Sequence, residues 1–397
     1  MSNGLIRFSL GVVVVLVVAC SGDSLSPAGP MDAPVLAVVL TQQLAVPTLD
    51  SLYSAVNNPA NAGKRITIAP GIYMLDGSKP HGGRLELQTD MTLAGKPGDE
   101  SAVVIDASTL SAAALTDGGI VTGAVRMGRG NNKVEWLTVR NAANGAGGIT
   151  TDLLQAGPTK VTIANVVATG NTRGFDIRNI GAAAAGRVLD VVLTHNELVN
   201  NSAGAGQGMR IANLQGAKGA KIRATFKGNN AHGNIAGCLA ANVSSDSATV
   251  EVESKNDRFD ANGNGCILIA GLTTGAGVVR GSFVKFSALA SRFEHNTAPL
   301  GTVFPTRAGI GAYGGVSTLA AKAFDNRVEV EIHSAKFSDN GGPDVAAWGA
   351  ITSAAQPAGT GNTTLIVLRG SSKKAVVDSV YSAPAEAGGT NRVSVVR

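Results

Sequence analysis

Apolar and polar residues alternate with a period of two in many short stretches of this chain, as in Val328-Glu329-Val330-Glu331-Ile332-His333 and Val250-Glu251-Val252-Glu253. That period belongs to strands with one buried face, and no apolar stripe of period 3.6 runs for more than about three turns. Such strands begin near Val161, Val188, Ile222, Val250, Val284 and Val328. Five of them are followed twelve residues later by asparagine: Val188 by Asn200, Ile222 by Asn234, Val250 by Asn262, Val284 by Asn296 and Val328 by Asn340. Val161 with Asn171 and Val134 with Asn144 are shorter by two, which reads as a tighter corner in the earlier turns.

A fixed segment joined to a variable one is what a coil of constant cross-section requires, with insertions leaving at a single corner. Asparagine suits the fixed corner because it tolerates a left-handed backbone, and stacked amides can bond along the axis. Each turn alone exposes its apolar face, so stability must come from stacking neighbours and closing the ends. One short helix is predicted at the front, where Thr48 can cap a segment in which Leu49, Leu52 and Val56 share a face. It would cover a terminal strand edge that is otherwise bare. The pattern therefore predicts an all-β chain: a single right-handed parallel β-helix over 48–397 with a short N-terminal capping helix.

Composition agrees with an array. The chain has 51 glycines and only 4% aromatic residues, and the stretch behind the first fifty residues is too long for one ordinary core. The apolar stretch from Phe8 to Ala19, preceded by Arg7, is too short to span a bilayer as a helix. It reads as an export signal over 1–19. Residues 20–47, with Pro27, Pro30, Pro34 and Pro47, read as a spacer, and Val35–Leu40 as an early strand. Removing the signal leaves 32 basic against 28 acidic residues. Without a basic block or interleaved aromatics, nucleic acid is set aside as a partner.

Two resemblances follow from these residues. Val17-Val18-Ala19-Cys20 resembles the lipobox of bacterial lipoproteins. That resemblance implies a lipid on Cys20, a membrane partner through the anchor and, with Ser21 next, the outer membrane or cell surface. Each buried methylene of such an anchor contributes roughly 0.8 kcal/mol. Ile66-Thr67-Ile68-Ala69-Pro70-Gly71-Ile72-Tyr73 resembles the opening turn of the pectin-lyase-like superfamily, and the asparagine-bearing turns resemble its repeats. The likeness speaks for the coil and says little about chemistry. The Asn-Thr-Asp, Asp-Asp, Gly-His-Gly and Arg-x-Lys elements of polygalacturonase-type enzymes are missing, and Asn171-Thr172-Arg173 has a cation where the acid would stand.

Aligned by their first apolar residue, four successive strands place Arg223, Glu251, Lys285 and Glu329 in one outward row, and Thr225, Glu253, Ser287 and Glu331 in another. The row reads either as a surface charge ladder or as a shallow groove for a charged glycan, with Lys255 beside it and His333 as its titrating candidate. No structural metal is predicted. Calcium is the one ion the paired carboxylates would accept, though the acids are spread over separate turns. His195, His232 and His295 read as solvated corner residues. Cys238 and Cys266 each lie four residues past their asparagines, so they should stack, as a disulfide or as a buried thiol pair. The stretch from Asn296 to Asp325, with Phe304, Arg307 and Tyr313, reads as a binding loop. Two functions stand: a non-catalytic binding, adhesion or structural module of the envelope, and a divergent polysaccharide lyase or glycoside hydrolase acting on an acidic glycan.

Overall fold

The alternating stretches become strands because each turn of the chain lies beside the next and lends it hydrogen-bond partners. The computed structural model describes residues 43–151, 157–201, 206–273, 277–297, 308–317, 321–352, 359–380 and 390–397. The chain divides into Met1–Leu40 and Thr41–Arg397. Cys20 and Val35–Leu40 lie outside the described residues.

Within the larger unit, a typical turn consists of a long strand, a short strand and a third strand, here Lys221–Lys227, Asn230–His232 and Gly237–Val243. The next turn repeats them as Thr249–Lys255, Arg258–Asp260 and Cys266–Ile269. Long and short strands build one sheet of 19 strands and third strands another of ten, with parallel pairing from turn to turn. This is a right-handed parallel β-helix. Register follows the apolar residues: Ile222, Val250, Val284 and Val328 form one inward column, and Ala224, Val252, Phe286, Val330 and Ile366 the next. Phe259, Phe293 and Phe337 stack along the axis at centroid spacings of 5.2 and 5.1 Å. Slipping one strand by a residue would turn its whole apolar set outward, which is why the register is so well specified.

The ends of the coil are treated differently. Thr48 caps the helix Leu49–Val56, accepting from the Ser51 amide while the Ser51 hydroxyl accepts from the Thr48 amide. Leu52 and Val56 are buried against the core. Ahead of it, Gln43–Val46 pairs with Arg65–Ile68 as the first described turn. At the far end, Arg392–Val396 pairs with Thr363–Arg369 and is largely exposed.

Many corners share a two-residue logic: a left-handed residue, then a side chain that bonds along the axis. The bend between short and third strands carries the expected amides, with Nδ2 of Asn171, Asn201, Asn234, Asn262 and Asn296 each donating to Oδ1 of the next, ending on Asn340. Three details of the expected alignment are corrected. Asn201 stands in the ladder where the spacing had put Asn200, because Leu189, not Val188, pairs with Ile222. Asn200 is the left-handed residue before it. Val161 pairs with Val191 and so lies two positions inside its strand; the offset to Asn171 is therefore not shortened. Asn144 sits outside the ladder, whose position in that turn is held by Ala142.

Two further ladders were not foreseen. Between long and short strands run Asn196, Asn229, Asp257 and Ser291. At the third corner Asn326, Asn362 and Asn391 do the same. Gly228 and Gly233 hold the left-handed positions of their turn at φ 65° and 66°, a conformation that costs glycine nothing. Insertions leave at two corners and not one: the chain lengthens between Asn296 and Ile310 as well as between Tyr313 and Arg327.

Candidate functional site

On the outer face of the long strands, the residues singled out by alignment stand in register. Arg223, Glu251, Lys285 and Glu329 face one another in successive turns, and so do Thr225, Glu253, Ser287 and Glu331. A third row, Lys227, Lys255, Leu289, His333 and Arg369, closes the strand ends. Neighbouring rungs lie about 4.8 Å apart, close to the length of one sugar in an extended chain.

The ion pairs on this face are short-range and partly diagonal. Lys285 Nζ lies 3.3 Å from Glu329 and 3.1 Å from Glu331, and Arg327 reaches Glu329 at 2.6 Å. Lys221 takes Glu251 at 2.6 Å, whereas Arg223 turns back to Asp190 at 3.8 Å. The hydrogen bond between Lys285 and Glu331 moves both groups away from neutrality, raising the lysine and lowering the acid. Glu253 and Lys255 have no ion-pair partner among the described residues. Together with Leu289, Glu331, His333 and Arg369 they line a shallow depression of about 400 Å³. It offers unpaired charge of both signs around an apolar floor, which suits a ring with hydroxyls and a carboxylate on its edges.

The corner histidines fall into different settings. His195 is a left-handed bend residue. His232 lies on a short strand, 3.0 Å from Glu197. His295 spans three turns: Nδ1 is 2.8 Å from Asp260 and Nε2 is 3.6 Å from Asp339. The hydrogen bond with Asp260 raises its pKa.

Of the loop residues, Phe304 and Arg307 lie outside the described residues. Tyr313 is not a loop residue: it ends the third strand Ile310–Tyr313, is buried, and stacks on Trp348 with centroids 4.9 Å apart. Cys238 and Cys266 are free buried thiols with sulfurs 3.5 Å apart. Their backbones are offset by one, since Leu239 is the partner of Cys266. Among the described residues no group of three or more His, Cys, Asp or Glu side chains could hold a metal ion.

Alignment missed a second cluster of charge, on the outer face of the third strands. Glu86, Arg126, Thr150, Asp176 and Arg210 form one column there. Asp176 is fully buried and accepts from Nε and Nη2 of Arg210, each at 2.7 Å, with Arg178 at 3.4 Å. Burial pushes its carboxyl upward, but Arg178 and Arg210 more than offset this and hold it far below the ordinary range. The hairpin Thr116–Asp117 and Ile120–Val121 comes to this face, where Asp117 pairs with Arg126 at 2.6 Å and Val121 accepts from Arg178. Asp176 lies five residues past its ladder asparagine and Arg210 nine past its own, so counting from the asparagines could not bring them together. The sequence signal was the shared pattern of Gly174, Ile177 and Asn179 in Arg173–Asn179 with Gly208, Ile211 and Asn213 in Gln207–Asn213.

No family model and no curated protein matches the chain. Among solved structures it is similar to the A-module of the mannuronan C-5 epimerase AlgE6 of Azotobacter vinelandii, with 14% identity over 87% of this chain and 93% of that one, and a TM-score of 0.42. The catalytic unit of a GH87 α-1,3-glucanase of Streptomyces thermodiastaticus gives 15%, 89%, 68% and 0.39 in the same order. An alginate lyase of Paenibacillus gives 12%, 89%, 99% and 0.31. Likenesses this remote carry no chemistry to this chain.

Proposed function

We propose that this protein is a non-catalytic module that holds an acidic polysaccharide along the outer face of its long strands. One observation carries the reading: charged side chains from successive turns stand in register around a shallow depression, and Glu253, Lys255, His333 and Arg369 there have no ion-pair partners among the described residues. Sites of this kind bind by many weak contacts repeated at the polymer's own spacing. On the same reading the body is displayed at the bacterial envelope by a lipid on Cys20, with the stretch ahead of Gln43 as its tether, since Gln43–Val46 already belongs to the coil. Labelled palmitate retained by the wild type and lost in Cys20→Ser tests that part.

At the Lys285–Glu331 pair the electrostatics favour binding over turnover. A lyase needs a base that gives up its proton near neutrality, whereas Glu331 holds Lys285 protonated. A hydrolase needs an acid with a raised pKa, whereas Glu331 is lowered. Calorimetry of the purified body with polygalacturonate should show saturable binding that falls in Lys255→Ala/Arg369→Ala. The same mixture should develop no ultraviolet absorbance from unsaturated products. Absence of binding would sink the reading, and absorbance lost in Lys285→Ala would replace it with a lyase.

A further inference from the structure

The short strands carry a second row of cations that the proposed groove does not use. Arg258, Arg292 and Lys336 occupy one outward position in three successive turns. Like charges placed directly opposite on neighbouring strands destabilise a sheet, so the stack needs anions. The acids two residues on supply some of them. Asp260 takes Arg258 at 2.8 Å and His295 at 2.8 Å. Glu294, almost fully buried, takes Lys336 at 2.7 Å and Arg258 at 3.7 Å. Arg292, exposed in the middle of the row, has no hydrogen bond or ion pair of its own side chain among the described residues.

Across the bend lies the row Lys227, Lys255, Leu289, His333 and Arg369, in which Lys255 shares a turn with Arg258, Leu289 with Arg292 and His333 with Lys336. The crest between the two rows is made of Gly228, Asn256, Ala290 and Ser334, all left-handed and three of them exposed side chains no larger than asparagine. A polymer could therefore approach the backbone along this crest, with Arg258, Arg292 and Lys336 on one side and Lys255, Leu289 and His333 opposite them.

We infer that a glycan bearing one carboxylate or sulfate per sugar lies along this bend, parallel to the coil axis, and that Arg292 supplies the central anion contact. The inference rests on the proposed polysaccharide reading and adds to it the path of the chain and the charge it must carry. A guanidinium in such a row sacrifices stability for recognition, which gives it a double signature.

Calorimetry with polygalacturonate, dextran sulfate and neutral dextran, paired with thermal unfolding, tests this on the full chain. Arg292→Gln should lower affinity for at least one polyanion by about tenfold, as loss of one charge-assisted bond implies, while Tm stays level or rises. Arg292→Lys should keep most of the binding. The preferred polyanion distinguishes carboxylate from sulfate recognition, and neutral dextran should not bind. Binding unchanged in Arg292→Gln, with or without a fall in Tm, overturns the inference and leaves the wider reading standing. A wild type that binds neither polyanion overturns the wider reading itself.

Discussion

The two outer faces of this coil carry similar charges and use them in opposite ways. On the long strands Lys285, Glu329 and Glu331 pair at the surface, where water and salt compete for every contact. On the third strands Asp176 is sealed between Arg210 and Arg178. An exposed pair contributes little to stability and can be exchanged for a ligand. A buried one has already given up its water, and removing one partner leaves the other stranded. Burial, more than charge, decides which face is free to bind.

The comparison is broken most forcefully by deleting the buried acid. Asp176→Ala should cost about 3–5 kcal/mol in urea unfolding, whereas Glu331→Gln should cost no more than about 1 kcal/mol. Equal losses would show that the two faces are not distinct. Acid titration should separate them too. Because Asp176 sits below its unfolded value, its contribution is present above the ordinary carboxylate pKa and is lost as pH falls through the folded one. Asp176→Asn should flatten that part of the stability profile.

Next in size is the amide ladder. Asn262 donates to Ala231 and Asn296 and accepts from both nitrogens of Asn234. Asn262→Ala leaves the buried Asn234 donors without partners and should cost about 1–3 kcal/mol. A change within a few tenths would remove the ladder from the account of stability.

The smallest effect is a gain. Asp257 stands in a ladder otherwise begun by Asn196 and Asn229, with Oδ1 accepting both Asn229 nitrogens and Oδ2 accepting the Ser254 hydroxyl. Burial pushes its carboxyl up, and these bonds offset only part of the rise. With the folded value above the unfolded one, the folded state binds more protons between them, so stability falls as pH rises through that window. Asp257→Asn should thus be more stable than the wild type at neutral pH, by about 1 kcal/mol, and the gain should shrink in acid. A variant that is less stable at pH 7 would mean that the ionised carboxylate is favoured where it stands.

The coil was legible because its periods are written in single residues. Val250, Val284 and Val328 alternate with charges, and Asn234, Asn262 and Asn296 recur at a fixed distance behind Ile222, Val250 and Val284. The exposed rows followed from that register alone. What stayed hidden depends on where insertions go. The ladder through Asn196 sits at a corner whose residues change from amide to acid to serine, and the one through Asn326 repeats asparagine over only three turns at unequal sequence intervals. Tyr313 passed for a loop residue because its strand is only four residues long and fully buried, without alternation to mark it. Asp176 and Arg210 meet only because the chain takes different lengths to reach the same point on the third sheet.

Lysine acetylation footprinting of the whole chain with and without polygalacturonate tests the central claim most directly. The account predicts protection of Lys227, Lys255, Lys285 and Lys336, with Lys64, Lys79 and Lys96 near the N-terminal end unchanged. Protection confined to the N-terminal lysines, or absent at the four on the long and short strands, would contradict it.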